Sequence, residues 1–315
     1  MKFIASFLLT LFLTIAPAHA EAMACDLNME SKTMQGQYDI AFSYEMGHCT
    51  EQDKIQAVER YTNLGNAGYA SAQFRLGELY FSGYFPNFES TADEQVPPDY
   101  VKAKTWYLKA AEQGHGDSQL RLGFLFAEKH FAGLTADLDE AEKWFIKAAE
   151  NKAKGARFRL ANFYQHYRKP PQYDKAFEWM TKAAEAGNRV AQFDLAIFYL
   201  DGKGNVEKDT KAWFDWILKA AEQENLHAMI ALSKAYQTGT NDVEVNAQKS
   251  IAWAMRVAER NKSIQWINRI ADAFYEGEGN LPKNLPQAAE WYAKAAKKGD
   301  KHAANRLSRI SSKRR

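Results

Sequence analysis

Tryptophan recurs in this chain at Trp106, Trp144, Trp179, Trp216, Trp253 and Trp291, spaced 38, 35, 37, 37 and 38 residues apart. Each opens nearly the same phrase: WYLKAAEQG, WFIKAAENK, WMTKAAEAG, WILKAAEQE, WAMRVAERN and WYAKAAKKG. A second phrase accompanies it, AQFRLGELYFSG at 72–83, SQLRLGFLFAEK at 118–129, ARFRLANFYQHY at 156–167 and AQFDLAIFYLDG at 191–202. Looser copies stand at 228–239 and 264–277, and an early one, GQYDIAFSYEMG, at 36–47. A period of this length accommodates two antiparallel helices and two short connections, and it leaves little room for any other architecture.

Both phrases have helical spacing. Phe74, Leu76, Leu79 and Tyr80 share one face of the Leu-Gly phrase, and Ala103, Trp106, Tyr107 and Ala110 recur at i, i+3, i+4 and i+7 in the Trp phrase. Gly77, Gly123, Ala161 and Ala196 keep one position small, which allows a neighbouring helix to approach closely. Gly83, Gly202, Gly239 and Gly277 follow the Leu-Gly helices and suit a left-handed terminus. Asp99, Asp137, Asp174 and Asp209 stand where the Trp helices begin, and a carboxylate there caps free N–H groups.

On these phrases the chain resembles the Sel-1-like repeat family, relatives of the tetratricopeptide repeats. The resemblance covers about 32–311 and is most complete from Ala191 to Glu222, where Gly202, Gly204, Val206, Asp209, Lys211, Ala212 and Trp216 follow the family pattern. It implies an all-α, right-handed αα solenoid of about seven helix pairs, closed by an unpaired, highly charged helix at Lys301 to Ile310. Such a stack has no independent domains, because one repeat cannot bury its own core. Lys152, Glu224 and Asn261 replace the glycine that the family favours, so those turns are expected to differ in geometry.

The ends carry separate signals. Lys2, the apolar run Phe3 to Ile15 and Ala18-His19-Ala20 form a secretory leader, with cleavage expected after Ala20 and export to a bacterial periplasm. The alternative, lipidation at Cys25, lacks the leucine of a lipoprotein box. Cys25 and Cys49 are the two cysteines, and in an oxidising compartment they pair most simply as one disulfide tethering 21–31. From Lys294 on, nine Lys/Arg stand against one Asp, and the four residues 312–315 form a basic tail. That end could touch anionic lipid or an acidic partner; the alternative is a solvated cap. With 41 basic and 39 acidic residues overall, no nucleic-acid preference is expected.

The chain carries no His-Glu-x-x-His, no phosphate loop before Lys-Ser/Thr and no Gly-x-Ser-x-Gly, so no catalytic residue is expected. The histidines are scattered, and no cofactor or metal is expected. The Lys and Glu of KAAE (Lys109 with Glu112, Lys147 with Glu150, Lys182 with Glu185, Lys219 with Glu222) read as solvated i,i+3 ion pairs. The Trp series reads as core, whereas Trp213 and Trp266 fall outside it and are candidates for special roles.

Positions that vary between repeats mark the surface. If the Leu-Gly helices line a concave face, the residues two after the leucine (Phe42, Glu78, Phe124, Asn162, Ile197, Lys234, Asp272) and five after it (including Glu45, Phe81, Leu200, Tyr275) project there. Phe42, Phe81, Phe124, Ile197, Leu200 and Tyr275 would form an exposed apolar stripe for a protein partner, or else pack between repeats. The insertion 84–95, with Tyr84, Phe85 and Phe88, is a second candidate contact. The reading is a non-enzymatic periplasmic scaffold that binds envelope proteins, in an assembly such as a secretion or export machine. A glycan- or peptidoglycan-binding protein is the alternative. A β-lactamase-like enzyme is a third reading, disfavoured by a single cysteine pair and no Ser-x-x-Lys.

Overall fold

The computed structural model describes residues 31–48, 52–83 and 97–312. These residues are helical almost throughout and fall into two compact units that divide between Asn151 and Lys152. The first holds α1 (Met34–Met46), α2 (Lys54–Asn66), α3 (Ala70–Ser82), α4 (Tyr100–Glu112), α5 (Gly116–Ala127) and α6 (Leu138–Glu150). The second holds α7 (Ala156–His166), α8 (Tyr173–Glu185), α9 (Arg189–Asp201), α10 (Thr210–Glu222) and α11 (Leu226–Thr238). It continues through α12 (Ala247–Asn261), α13 (Ile264–Glu276), α14 (Leu285–Ala296) and α15 (Lys301–Ser312). Odd-numbered helices carry the Leu-Gly phrase and even-numbered ones the Trp phrase. Each odd helix packs on the even helix that follows it, giving seven pairs and a final helix set against α14.

One hydrogen bond sets the geometry of every pair. The residue at the start of each even helix donates its backbone N–H to the carbonyl of an aromatic residue in the last turn of the preceding odd helix. Asp53 bonds Tyr44, Asp99 Tyr80, Asp137 Phe126, Gln172 Tyr164, Asp209 Tyr199, Asn246 Tyr236 and Asn284 Phe274, at 2.7 to 3.0 Å. Helix ends leave carbonyls unsatisfied, and this bond uses one of them to hold the pair. It forms between α3 and α4 as well, on either side of 84–96, so the insertion leaves that pair in register. The insertion itself, with Tyr84, Phe85 and Phe88, lies outside the described residues, as do residues 1–30, Cys25, Cys49 and 313–315.

The same residue caps the even helix with its side chain where it is Asp or Asn. The carboxylates of Asp99, Asp137 and Asp209 accept from backbone N–H groups of the first turn, as do Asp53, Asn246 and Asn284. The backbone bond from Lys102 holds Asp99 below the ordinary carboxylate range. Asp174 lies in the first turn of α8, where a carboxylate meets the helix dipole, but it is not the cap residue: it accepts from the backbone and side-chain N–H groups of Asn205 in the next repeat.

The small position two helices share is as tight as the sequence suggests. A Cβ added at Gly77 would lie 2.4 Å from the Tyr107 ring, and one at Gly123 2.6 Å from Phe145. In α11 the position is Ser233, whose Oγ donates to the Ser250 carbonyl while the Ser250 Oγ donates to that of Ser233. Between repeats, Gln73, Gln119 and Gln192 are buried links. Each donates to a carbonyl at the end of the preceding even helix (Gly65, Ala111, Ala184) and accepts from the Gln113, Asn151 or Gln223 amide of the next.

The turns at Lys152 and Glu224 stay in the same left-handed region as the glycine turns, but at a lower φ than the 84° to 91° of Gly68, Gly114, Gly187 and Gly299. Lys152 and Glu224 have φ of 56° and 60°, and in the turn after α12 the left-handed residue is Lys262 (51°) rather than Asn261. Glycines at the equivalent Gly68, Gly114, Gly187 and Gly299 have open space around a notional Cβ. The side chain therefore meets no obstacle, and the cost is backbone strain alone, about 1–2 kcal/mol per residue. Packing on both flanks of the turn outweighs it.

Candidate functional site

The Trp helices are closed on the side a ligand would need. Every Trp of the series is buried or half-buried, and the cationic residue three positions on lies over its ring. Lys109, Lys147, Lys182, Lys219, Arg256 and Lys294 stand 3.7 to 4.7 Å from the ring centroids of Trp106, Trp144, Trp179, Trp216, Trp253 and Trp291. The KAAE lysines thus serve as cation–π partners at i,i+3 rather than as ion pairs with the following glutamate. An ammonium gains more over an indole face than from an exposed carboxylate. Of the two tryptophans outside the series, Trp213 is 2% exposed in the core of the second unit, and Trp266 is half-buried against the same core.

On the Leu-Gly helices, the varying positions form joints of two chemistries. Two of those in the first unit are polar. Glu45 of α1 accepts from the Tyr61 hydroxyl (2.9 Å) and from Nε and Nη2 along one edge of the Arg75 guanidinium on α3. Glu78 of α3 accepts from the Tyr107 hydroxyl (2.5 Å) and from Arg121 of α5 at 2.7 and 2.8 Å. Both carboxylates are largely buried, so Glu45 and Glu78 do not project to solvent as the sequence suggested. A bidentate guanidinium and a phenol satisfy them where water cannot. Burial, then the adjacent carboxylates, pushes the Tyr61 and Tyr107 hydroxyls well above their ordinary range. In the second unit Asp272 takes the Tyr292 hydroxyl at 2.5 Å, with His302 of α15 at 3.5 Å.

Elsewhere the joints are apolar. Phe124 meets Phe145 edge-on at 5.2 Å. Phe81 packs against Tyr100 and Phe131 and under the Arg121 guanidinium. Tyr275 lies against Tyr292, beneath Arg306 and Lys283. Leu200 packs on the core around Trp213. Phe42, Phe81, Phe124, Ile197, Leu200 and Tyr275 are all half-buried, and the exposed large apolar side chains among the described residues are others: Met34, Met46, Ile55, Val101, Val190 and Val245. The expected exposed stripe is therefore a set of half-buried rings and branches whose outer edges alone face solvent. Phe42, Phe81 and Phe124 belong to the first unit, and Ile197, Leu200 and Tyr275 to the second.

Two features escaped the sequence reading. His115 is a capping residue: its Nδ1 accepts from the Ser118 backbone and meets the Ser118 hydroxyl, and burial lowers its pKa. Asp194 of α9 stands where Arg75, Arg121, Arg159, Arg269 and Arg306 stand in other repeats, immediately before the leucine position. Burial pushes its carboxyl up to about 6, against the opposing pull of His227 and Lys203. Among the described residues, no group of three His, Cys, Asp or Glu could hold a metal ion, and no helix is long and apolar enough to cross a membrane.

Seven stretches of the chain, 35–59, 70–115, 116–152, 155–188, 189–225, 226–261 and 267–300, match the Sel1 repeat. The chain belongs to the Sel1 repeat family. Its similarity to a Sel1 repeat protein from Oxalobacter formigenes is 25% identity with a TM-score of 0.66, covering 89% of this chain and 77% of that one. It is 26% identical, with a TM-score of 0.58, to c5321, a protective antigen of uropathogenic Escherichia coli with an SLR fold. That match covers 88% of this chain and 64% of the antigen, a little under two thirds of its length. The chitin synthase regulator SKT5 of Saccharomyces cerevisiae is 33% identical over 118 residues, which is 37% of this chain but only 16% of that protein. The all-α array of paired repeats is thus both the observed fold and the family's. Sel1-type repeats are non-catalytic scaffolds for protein–protein contacts.

Proposed function

We propose that this protein is an exported, non-catalytic scaffold that binds envelope proteins through the Leu-Gly helix surfaces, within an assembly such as a secretion or export machine. The observation that carries this reading is the contrast between the two helix sets. The Trp helices repeat one closed solution six times, whereas the residues two and five after the leucine differ from repeat to repeat and leave apolar edges at the surface. A scaffold specifies its partner by varying what a constant frame presents. The leader at 1–20 supports export, and the basic end from Lys294 supports an auxiliary contact with an acidic surface. Cation-covered Trp faces count against stacking of glycans on that series, which favours a protein partner over the glycan alternative.

The test is in-cell crosslinking and co-purification from the envelope, comparing wild type with Phe81→Ala/Phe124→Ala/Ile197→Ala once circular dichroism shows the variant folded. A defined set of proteins captured by wild type and lost from the variant is expected. Equal capture by both would overturn the assignment of the surface.

A further inference from the structure

We propose that Asp194 is the charge anchor for an arginine or lysine side chain of a protein partner, laid along the Val190–Asp194–Ile197 stripe of α9. The inference deepens the scaffold reading above and rests on it.

The fold itself shows what an acid in this kind of joint takes. Glu45 and Glu78 each receive one edge of a guanidinium, Nε and Nη2, from the next odd helix, through Arg75 and Arg121, and the residue before the leucine is the one that supplies it. At α9 that position is reversed. Asp194 replaces the arginine, and the acid it would have reached is also gone, since the varying positions of α7 are Asn162 and Gln165. The result is a carboxylate where the repeat ordinarily places a cation. Asp194 makes no hydrogen bond and no ion pair among the described residues. Of the cations near it, Lys203 is engaged with Asp201 at 3.0 Å, and His227 of α11 has its ring beside Phe193 at 5.7 Å.

A half-buried carboxylate without a donor loses hydration, and the pull of His227 and Lys203 does not make up that loss. The surroundings fit a guanidinium stem. Val190, Asp194 and Ile197 recur at i, i+4 and i+7 on one face of α9; Val190 is 42% exposed and Ile197 half-buried. Apolar groups on both sides of a carboxylate offer a place for the methylenes of Arg or Lys while the head pairs with the acid. Charge complementarity therefore selects a basic side chain over an acidic or purely apolar one.

The test titrates the full mature chain by NMR with the peptide Nα-acetyl-Leu-Arg-Leu-amide and with its citrulline counterpart, which keeps the shape and removes the charge. The arginine peptide is expected to perturb amides of α9 around Asp194 with a dissociation constant on the order of millimolar. The citrulline peptide should bind roughly tenfold more weakly. Asp194→Asn, whose fold the same spectra report, should remove that preference while leaving residual apolar binding. Three results would overturn the proposal: equal binding of the two peptides, an arginine preference that survives in Asp194→Asn, or no perturbation of α9 at ~10 mM arginine peptide. Any of them leaves the envelope crosslinking result standing, so failure of the anchor and failure of the scaffold are told apart.

Discussion

Helices α1 to α5 and helices α9 to α12 are built from the same repeat and hold it together differently. In the first stretch an acid, a tyrosine and an arginine from three different helices close each joint. In the second the matching positions hold Ile197 and Ile217, then Lys234 and Ala254, and a reciprocal serine pair bridges α11 and α12. The partner two helix positions share changes in step: Glu78 goes with Tyr107, Asp272 with Tyr292, Phe124 with Phe145. The frame demands a matched joint and is indifferent to its chemistry. A buried ion pair contributes little relative to a well-packed apolar joint, yet losing one member of it is costly. The polar joints should therefore be brittle to single changes, and the apolar ones forgiving.

The largest effect expected is that of Glu78→Ala, which strands the Tyr107 hydroxyl and the Arg121 guanidinium: a loss of about 3 kcal/mol in urea unfolding. The triple change Glu78→Phe/Tyr107→Phe/Arg121→Leu, which copies the Phe124–Phe145 joint, should recover to within about 1.5 kcal/mol of wild type. A triple variant as unstable as Glu78→Ala would refute the equivalence of the two joints. Gly77→Ala comes next, at about 1–3 kcal/mol by thermal unfolding, because its methyl enters the Tyr107 ring.

Asp194 sharpens the comparison through pH. Its folded pKa, raised to about 6, lies above its unfolded value, so its contribution to stability is fully present below the unfolded pKa of 3.8 and lost as pH rises through about 6. Chemical denaturation between pH 4 and 7 should show wild type falling relative to Asp194→Asn, with the variant the more stable at pH 7 by about 1 kcal/mol. No relative change over that range would mean the carboxylate is solvated. The smallest effect is at the turns: Lys262→Gly should raise stability by up to about 1 kcal/mol as the left-handed strain is released. A loss of stability on that change would mean the strain has been misplaced.

Much of the frame was legible in the sequence because it is said seven times. The Trp spacing located the helix pairs, small residues marked the close approaches, and Asp99, Asp137 and Asp209 marked three helix starts. What failed was information carried across repeats. Glu45 and Glu78 look like surface acids until the arginines thirty and forty-three residues away are placed beside them. The recurrent Arg before the leucine, in Arg75 and Arg121, was the available signal. Lys152 and Glu224 take the left-handed turn without glycine, and Lys262 takes it in place of Asn261, because packing on both flanks overrides the local preference. The W-x-x-K spacing was equally visible, but lysine was assigned to the nearest glutamate instead of the nearest ring.

The central claim, that partners meet the Leu-Gly helices and not the Trp helices, is tested most directly by photo-crosslinking in cells. A benzophenone amino acid is placed at Ile197 on α9 or at Lys211 on α10, whose side chain is 86% exposed. The account predicts crosslinks to discrete envelope proteins from position 197 and none from position 211. Crosslinks from 211 alone, or the same products from both, would contradict it.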